Sequence, residues 1–416
     1  MEPLRIMRIF FSINHLKRIS FIGIFGVNAI SQTLVSAWIA SQNLKTFTVF
    51  ALITGLGNLL AFLDFGTGTI AQTNYIRYLK SGSLKSLFFV KIAIRQSLAI
   101  SGLICFTGTA LLVLSKSSNL NLVAIYLILL GVTIPTNLAV NLIYAYGRSE
   151  IALLLSRSSW FWTLFIVAIF RSYFAENLSQ VSLIAVSSQI LCGIFAVIFC
   201  NIKKLLDTSH EFDKNSQINR ASFLRDYRSL AFATGLSGIP NMVSLYADRY
   251  IISFVNGSSN IASLAAYGSL FSGAVGILNY LYYKERAQIE FFDHLKSIYQ
   301  VKKFVIKVST VCFIYFLAGQ FTIYLLYPEQ ISNLYIHLFY SLALLSTGLS
   351  LGLQMRSVSI DYQRVIVRSF SWQSIVNITL TFVLAYFIGA IAGPLSTLLA
   401  ILFVQIPILY FSNIRQ

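Results

Sequence analysis

Asp248 and Arg249 are adjacent ionisable residues in an otherwise apolar stretch, 229–254. An ionised side chain at the centre of a bilayer costs about 2.5–3.5 kcal/mol on insertion scales, so such residues usually turn toward a partner or a watery cavity. The planar fork of an arginine can grip two oxygens of a phosphate at once. The chemistry open to this pair is therefore anion binding by Arg249, with Asp248 orienting the guanidinium or balancing its charge. Neighbouring positions on a helix do not face each other, so each residue needs partners of its own. Asn256 is about 10 Å further along a helix, so Arg249 has a second option, to reach outward to the headgroups.

Asp64 lies near the inner end of the stretch 46–67, and Arg77, Lys91 and Arg95 follow it at the same face. Asp64 is read as a partner of one of these cations or as a gating group. Arg157 and Arg368 open the stretches 151–171 and 369–388 from the inner side. With Arg77 and Arg95 they are candidates for a basic inner vestibule that receives phosphate. Tyr144, Tyr246 and Tyr250 are candidates for lining a cavity that accommodates sugar.

The pattern points to binding rather than bond chemistry. No DxD motif offers a candidate acid/base pair. Cys105, Cys192, Cys200 and Cys312 all fall inside apolar stretches without CxxC spacing, and the four His are scattered. No metal, no cofactor and no disulfide framework is expected.

The elements that must position these residues are membrane helices. The chain is 56% hydrophobic and 11% charged, with a mean hydropathy of +0.74. That composition excludes an ordinary soluble domain. It divides into about twelve apolar spans, roughly 20–40, 46–67, 93–114, 120–145, 151–171, 179–200, 229–254, 261–283, 304–327, 334–355, 369–388 and 392–412. Spans of about 20 residues suffice to cross a bilayer core of roughly 30 Å, and at this length only helices satisfy their own backbone in lipid. The expected class is an all-α polytopic membrane protein.

Charge orients it. Only Lys45 and Lys116 lie in the joints on one side, whereas the joints on the other side and both termini carry most of the 31 Lys and Arg. Cations accumulate on the cytoplasmic side, so both termini are expected inside. The net charge of +17 is then anchoring beside anionic lipid, and no nucleic-acid partner is implied. The run Arg5, Arg8, Lys17 and Arg18 before Ser20 mimics a leader, but the long apolar run behind it reads as an uncleaved first helix.

The most polar stretch, 201–228, falls near the midpoint. The domain reading is an N-terminal lobe at 1–205, a cytoplasmic linker at 206–228 and a C-terminal lobe at 229–416. A weak repeat supports it: Gly147-Arg148-Ser149 leading to Arg157-Ser158-Ser159-Trp160, and Met355-Arg356-Ser357 leading to Arg368-Ser369-Phe370-Ser371-Trp372. Two pseudo-symmetric six-helix lobes in one orientation are a transporter repeat pattern. Helix breakers cluster beside the intramembrane charges: Gly55, Gly57, Gly66 and Gly68, then Gly235, Gly238 and Pro240. Pro135, Pro394 and Pro407 are further breakers, and Gly348 with Gly352 and Gly389 with Gly393 have close-packing spacing.

The runs Leu63-Asp64-Phe65-Gly66-Thr67-Gly68, Tyr75-Ile76-Arg77, Gly238-Ile239-Pro240 and Asp248-Arg249-Tyr250-Ile251-Ile252, with Asn256-Gly257 and Tyr146-Gly147-Arg148, carry a resemblance. Together they resemble the Wzx-type O-antigen and exopolysaccharide flippases of the multidrug/oligosaccharidyl-lipid/polysaccharide (MOP) superfamily. Length and topology agree with that resemblance across the whole chain. It implies a V-shaped pair of six-helix lobes in the bacterial inner membrane. It implies movement of an undecaprenyl-diphosphate-linked oligosaccharide by alternating access, with a cationic central cavity for the diphosphate. A polysaccharide polymerase and a chain-length regulator are the protein partners it suggests. Arg249 matches a family motif by position, whereas Arg95, Arg157 and Arg368 follow from depth and charge alone. A MOP multidrug or cation antiporter is the first alternative. A membrane polysaccharide polymerase or ligase is the second, against which the small outer joints count.

Overall fold

A computed structural model describes residues 21–60, 67–81, 84–115, 117–145, 149–200, 225, 227, 246–257, 261–289, 294–354 and 360–414. Asp64, the run Gly147-Arg148, the breakers Gly235, Gly238 and Pro240, and all of the 206–228 linker except Arg225 and Tyr227 lie outside the described residues.

Among the described residues the structure is helical and has no strand. The elements are α1 (Phe21–Gln42), α2 (Leu44–Leu60), α3 (Thr67–Ser81), α4 (Leu84–Leu114), α5 (Ser118–Ala145), α6 (Ser149–Arg157), α7 (Ser159–Ile169), α8 (Arg171–Glu176) and α9 (Val181–Cys200). Then follow α10 (246–256), α11 (Ile261–Ile289), α12 (His294–Leu326), α13 (Leu334–Gln354), α14 (Ile360–Ile388), α15 (Ala392–Ala400) and α16 (Ile406–Ile414). Among the described residues seven stretches are long and apolar enough to cross a membrane, and α2 and α7 supply shorter apolar helices. The last stretch, Val365–Ser412, is 48 residues long. It reverses at Gly389, whose φ of 58° is open to glycine at little cost, so α15 folds back on α14.

The helices are built inside out relative to a soluble bundle. α13 exposes Leu338, Leu342, Leu345 and Leu349 in one stripe and buries His337, Ser341, Ser346, Ser350 and Gln354 on the other. A lipid solvent produces this pattern, because tails favour the leucines and polar groups find partners only inside. Hydroxyls on exposed faces fold back onto the helix: Thr107 donates to the Leu103 carbonyl, Thr310 to Ile306 and Thr379 to Ile375.

The chain divides into two compact units. The first holds Met1–Ser31 and Leu60–Leu236, and the second holds Gln32–Leu59 and Ser237–Gln416. In the first unit α4 and α5 approach closely because two positions lack a side chain. A Cβ on Gly108 would stand 2.9 Å from the Ala124 carbonyl, and one on Gly131 would stand 3.0 Å from the Ser101 carbonyl. The core of this unit is Ile70, Leu87, Val90, Leu138, Leu142 and their neighbours. Tyr227 docks into it, its hydroxyl donating to Gln96 Oε1 at 2.7 Å.

In the second unit Gly348 sits against Val308, which brings α13 onto α12. Of the two spaced glycine pairs, Gly389 serves the turn and Gly393 the packing. Pro394 lies in the first turn of α15, where the missing N–H has no helical acceptor to lose. Pro407 follows a π-turn at Ile401–Gln405. Pro135 stays within an unbroken α5.

Candidate functional site: a buried acid and base on one helix

α10 carries both intramembrane charges. It ends at Gly257, whose φ of 79° suits the left-handed cap that closes a helix, and whose N–H bonds the Ser253 carbonyl. The helix is held from the side as well, since Asn256 donates to the Ala385 carbonyl of α14 at 2.9 Å.

Asp248 is 4% exposed and Arg249 is 7% exposed, so neither reaches lipid or headgroups. That removes the outward-reaching option for Arg249. The two side chains leave the helix in different directions. Asp248 turns to α14 and α15: Thr381 donates to its Oδ1 at 2.9 Å and Thr397 to its Oδ2 at 3.3 Å. Asn377 stands one turn from Thr381 with its Oδ1 at 3.5 Å from the same hydroxyl. Gly393 makes room for the carboxylate, because a Cβ there would lie 3.2 Å from that of Asp248.

Arg249 turns to α2 and α11. Its Nη1 donates to the Ala51 carbonyl at 3.4 Å, and its guanidinium carbon stands 5.6 Å from the centre of the Tyr246 ring, within cation–π range. Gly268 clears a place for it: a Cβ there would lie 3.0 Å from Arg249 Nη2 and 3.2 Å from the Tyr340 hydroxyl. Tyr250 donates to the Leu52 carbonyl at 2.6 Å, and the Tyr246 hydroxyl pairs with Ser272 Oγ at 3.2 Å. Both tyrosines therefore spend their hydroxyls within the second unit.

Thr397 also lines a cavity of about 40 Å³ inside the second unit. One water needs roughly 10–15 Å³ of such space, so a few waters fit. Asn279, Ser350, Gln373, Thr397 and Gln405 supply its polar walls and Phe271 and Phe370 its aromatic ones. Thr397 thus touches both the cavity and the Asp248 carboxylate.

The remaining candidate residues stand elsewhere. Arg368 is exposed on α14, thirteen residues from Thr381, which is about 20 Å along a helix. It does not join the Asp248–Arg249 site. Arg95 is exposed on α4; Arg77 lies in α3, and Arg157 ends α6. These three belong to the first unit. Lys91, one turn before Arg95, is only 2% exposed and is among the largest fully buried side chains.

Thr381, Thr397, Asn377 and Gln405 were not singled out by sequence. A signal was present: Asn377-x3-Thr381 places two polar side chains on one face of an apolar helix, and Thr347, Ser350 and Gln354 do the same on α13. Among the described residues no group of three His, Cys, Asp or Glu stands together as a metal site.

No family model and no curated protein matches the sequence. Solved structures do. An inward-facing multidrug resistance MATE family transporter of the MOP superfamily matches with a TM-score of 0.68 at 11% identity, over 93% of this chain and 94% of that one. The lipid II flippase MurJ, in an inward closed conformation, matches with a TM-score of 0.58 at 14% identity, over 94% of this chain and 87% of that one. A MOP superfamily transporter from Pyrococcus furiosus, described as having a binding pocket of reversed polarity, gives 0.58 at 13% identity, over 96% and 97%. The chain shares the fold of these structures. It is a multi-pass membrane protein, and at these identities the likeness is one of architecture.

Proposed function

We propose that the protein is a flippase that carries an undecaprenyl-diphosphate-linked oligosaccharide across the bacterial inner membrane for surface polysaccharide synthesis. The observation that carries this reading is the Arg249 guanidinium, buried against the Ala51 carbonyl and the Tyr246 ring while the adjacent Asp248 carboxylate turns away to Thr381 and Thr397. A permanent cation kept at such cost suits an anionic cargo, and its planar fork suits a diphosphate. The similarity of fold to MurJ lends support, since that protein is described as a lipid II flippase. In this reading Arg249 holds the diphosphate, Asp248 sets the charge beside it, and Arg77, Arg95, Arg157 and Arg368 attract cargo at the inner face. Asp64 takes part as their counter-charge. The termini face the cytoplasm, and a polymerase and a chain-length regulator work downstream.

A second reading is favoured by one observation. Asp248 is a buried carboxylate with two hydroxyl donors, one of which, Thr397, also lines a small cavity, an arrangement that suits reversible loading with a proton or a small cation. A cation-coupled exporter of amphipathic drugs would use the same acid. Purified protein in vesicles separates the two. The flippase reading expects a lipid-linked oligosaccharide to become accessible in the opposite leaflet and fluorescent cationic drugs to stay put. Drug movement without lipid movement would replace the first reading by the second.

A further inference from the structure

One continuous helix changes unit part-way along, and a second ends at the unit boundary. α1 passes from the first unit to the second after Ser31, and α2 leaves the second unit after Leu59. The intervening piece, 32–59, is tied to the rest of the second unit by side chains that donate to its backbone carbonyls. Tyr250 donates to Leu52 at 2.6 Å, Arg249 to Ala51 at 3.4 Å and Tyr327 to Thr33 at 3.5 Å. The ring of Tyr327 also stands 6.0 Å from that of Phe47.

Of the two bonds from α10, that of Arg249 is the long one. Typical N–H···O distances are about 2.9–3.0 Å. The Ala51 carbonyl already serves its own helix, and the Thr54 hydroxyl, which donates to the Phe50 carbonyl at 2.9 Å, stands 3.3 Å from it, so the guanidinium meets an acceptor that is partly engaged and crowded. Glycine at 55 keeps the approach open, because a Cβ there would lie 3.3 Å from the Tyr250 hydroxyl and 3.8 Å from Arg249 Nη1. An oxyanion offers the same guanidinium two parallel bonds of about 2.7–2.9 Å. Exchange of the crowded carbonyl for a phosphate is therefore favourable wherever a phosphate reaches Arg249.

We propose that Arg249 and Tyr250 latch residues 32–59 onto the second unit, and that a cargo phosphate releases the latch by drawing the guanidinium off the Ala51 carbonyl. This rests on the flippase reading for its cargo, but its test does not require transport. Thr48 is 3% exposed in α2. In a protein with its native cysteines replaced, Thr48→Cys is titrated with a membrane-impermeant maleimide in vesicles. Undecaprenyl diphosphate is expected to raise the labelling rate several-fold, and undecaprenol, which lacks phosphate, to leave it unchanged. Tyr250→Phe, and independently Gly55→Ala, should raise the rate without any lipid. Arg249→Gln should abolish the response to diphosphate. A rate that ignores undecaprenyl diphosphate, or stays at the starting level in both Tyr250→Phe and Gly55→Ala, overturns the latch. Failure of lipid movement in reconstituted vesicles, with the labelling response intact, would instead overturn the flippase reading and leave an anion-released latch.

Discussion

At the residue scale the second unit spends its polar groups on two charges that do not pair with each other side by side. Asp248 depends on Thr381 and Thr397. Leaving a buried acceptor short of a partner costs about 1–3 kcal/mol, more for a charged group. Thr397→Val is nearly isosteric and removes the donor. It is expected to lower the melting temperature in detergent, and Thr397→Ser to restore most of the loss. An unchanged melting temperature in Thr397→Val would mean that the hydroxyl does not support the carboxylate. Arg249 answers to a different assay. Under the flippase reading, Arg249→Ala should remove most export per molecule of membrane protein. Arg249→Lys should keep part of it, since charge remains and the fork is lost. Undiminished export in Arg249→Ala would take this residue out of the site.

At the element scale, close contacts between helices set where the polar groups meet. Gly348 lies directly against Val308, so α13 and α12 touch where neither can retreat. Val308 is β-branched and stiff, so it yields little to an added methyl. Gly348→Ala is expected to destabilise the protein by about 1–3 kcal/mol, the usual range for overpacking. Val308→Ala in the same chain should recover much of that, because it vacates the space. The comparison of single and double variants by thermal unfolding checks it. Additive losses would show that the two residues do not share one contact. α15 offers a contrast: its Gly393 admits Asp248, so a side chain there strikes the site itself rather than the scaffold.

At the scale of the whole molecule, orientation is the property most open to direct test. The distribution of Lys and Arg predicts that the joint after α1 and the joint before α5 face outward. Cysteines introduced at Gln42 and Ser117, both exposed, should react with an impermeant thiol reagent on intact cells. One at Arg225, also exposed, should react only after the membrane is opened. Labelling of position 225 from outside would reverse the topology.

Much of the architecture is legible in the sequence, for a physical reason. A bilayer admits few kinds of backbone, and it writes its thickness into apolar run length and its sidedness into Lys and Arg. The helical class, seven of the crossings and the placement of Asp248 and Arg249 on a helix follow from that. Side-chain partners do not. Thr381 and Thr397 lie 133 and 149 residues from Asp248 along the chain, and Ala51 lies 198 residues from Arg249. Periodicity within a helix carries no information on which remote helix it will touch. For the same reason Lys91 and Arg95 look alike in sequence, yet packing buries one and exposes the other. The assignment of 32–59 to the second unit is likewise a result of packing, because α1 runs on through the boundary at Ser31 without a break in the helix. Local composition determined the crossings, and only contacts between distant helices decided what the two charges hold.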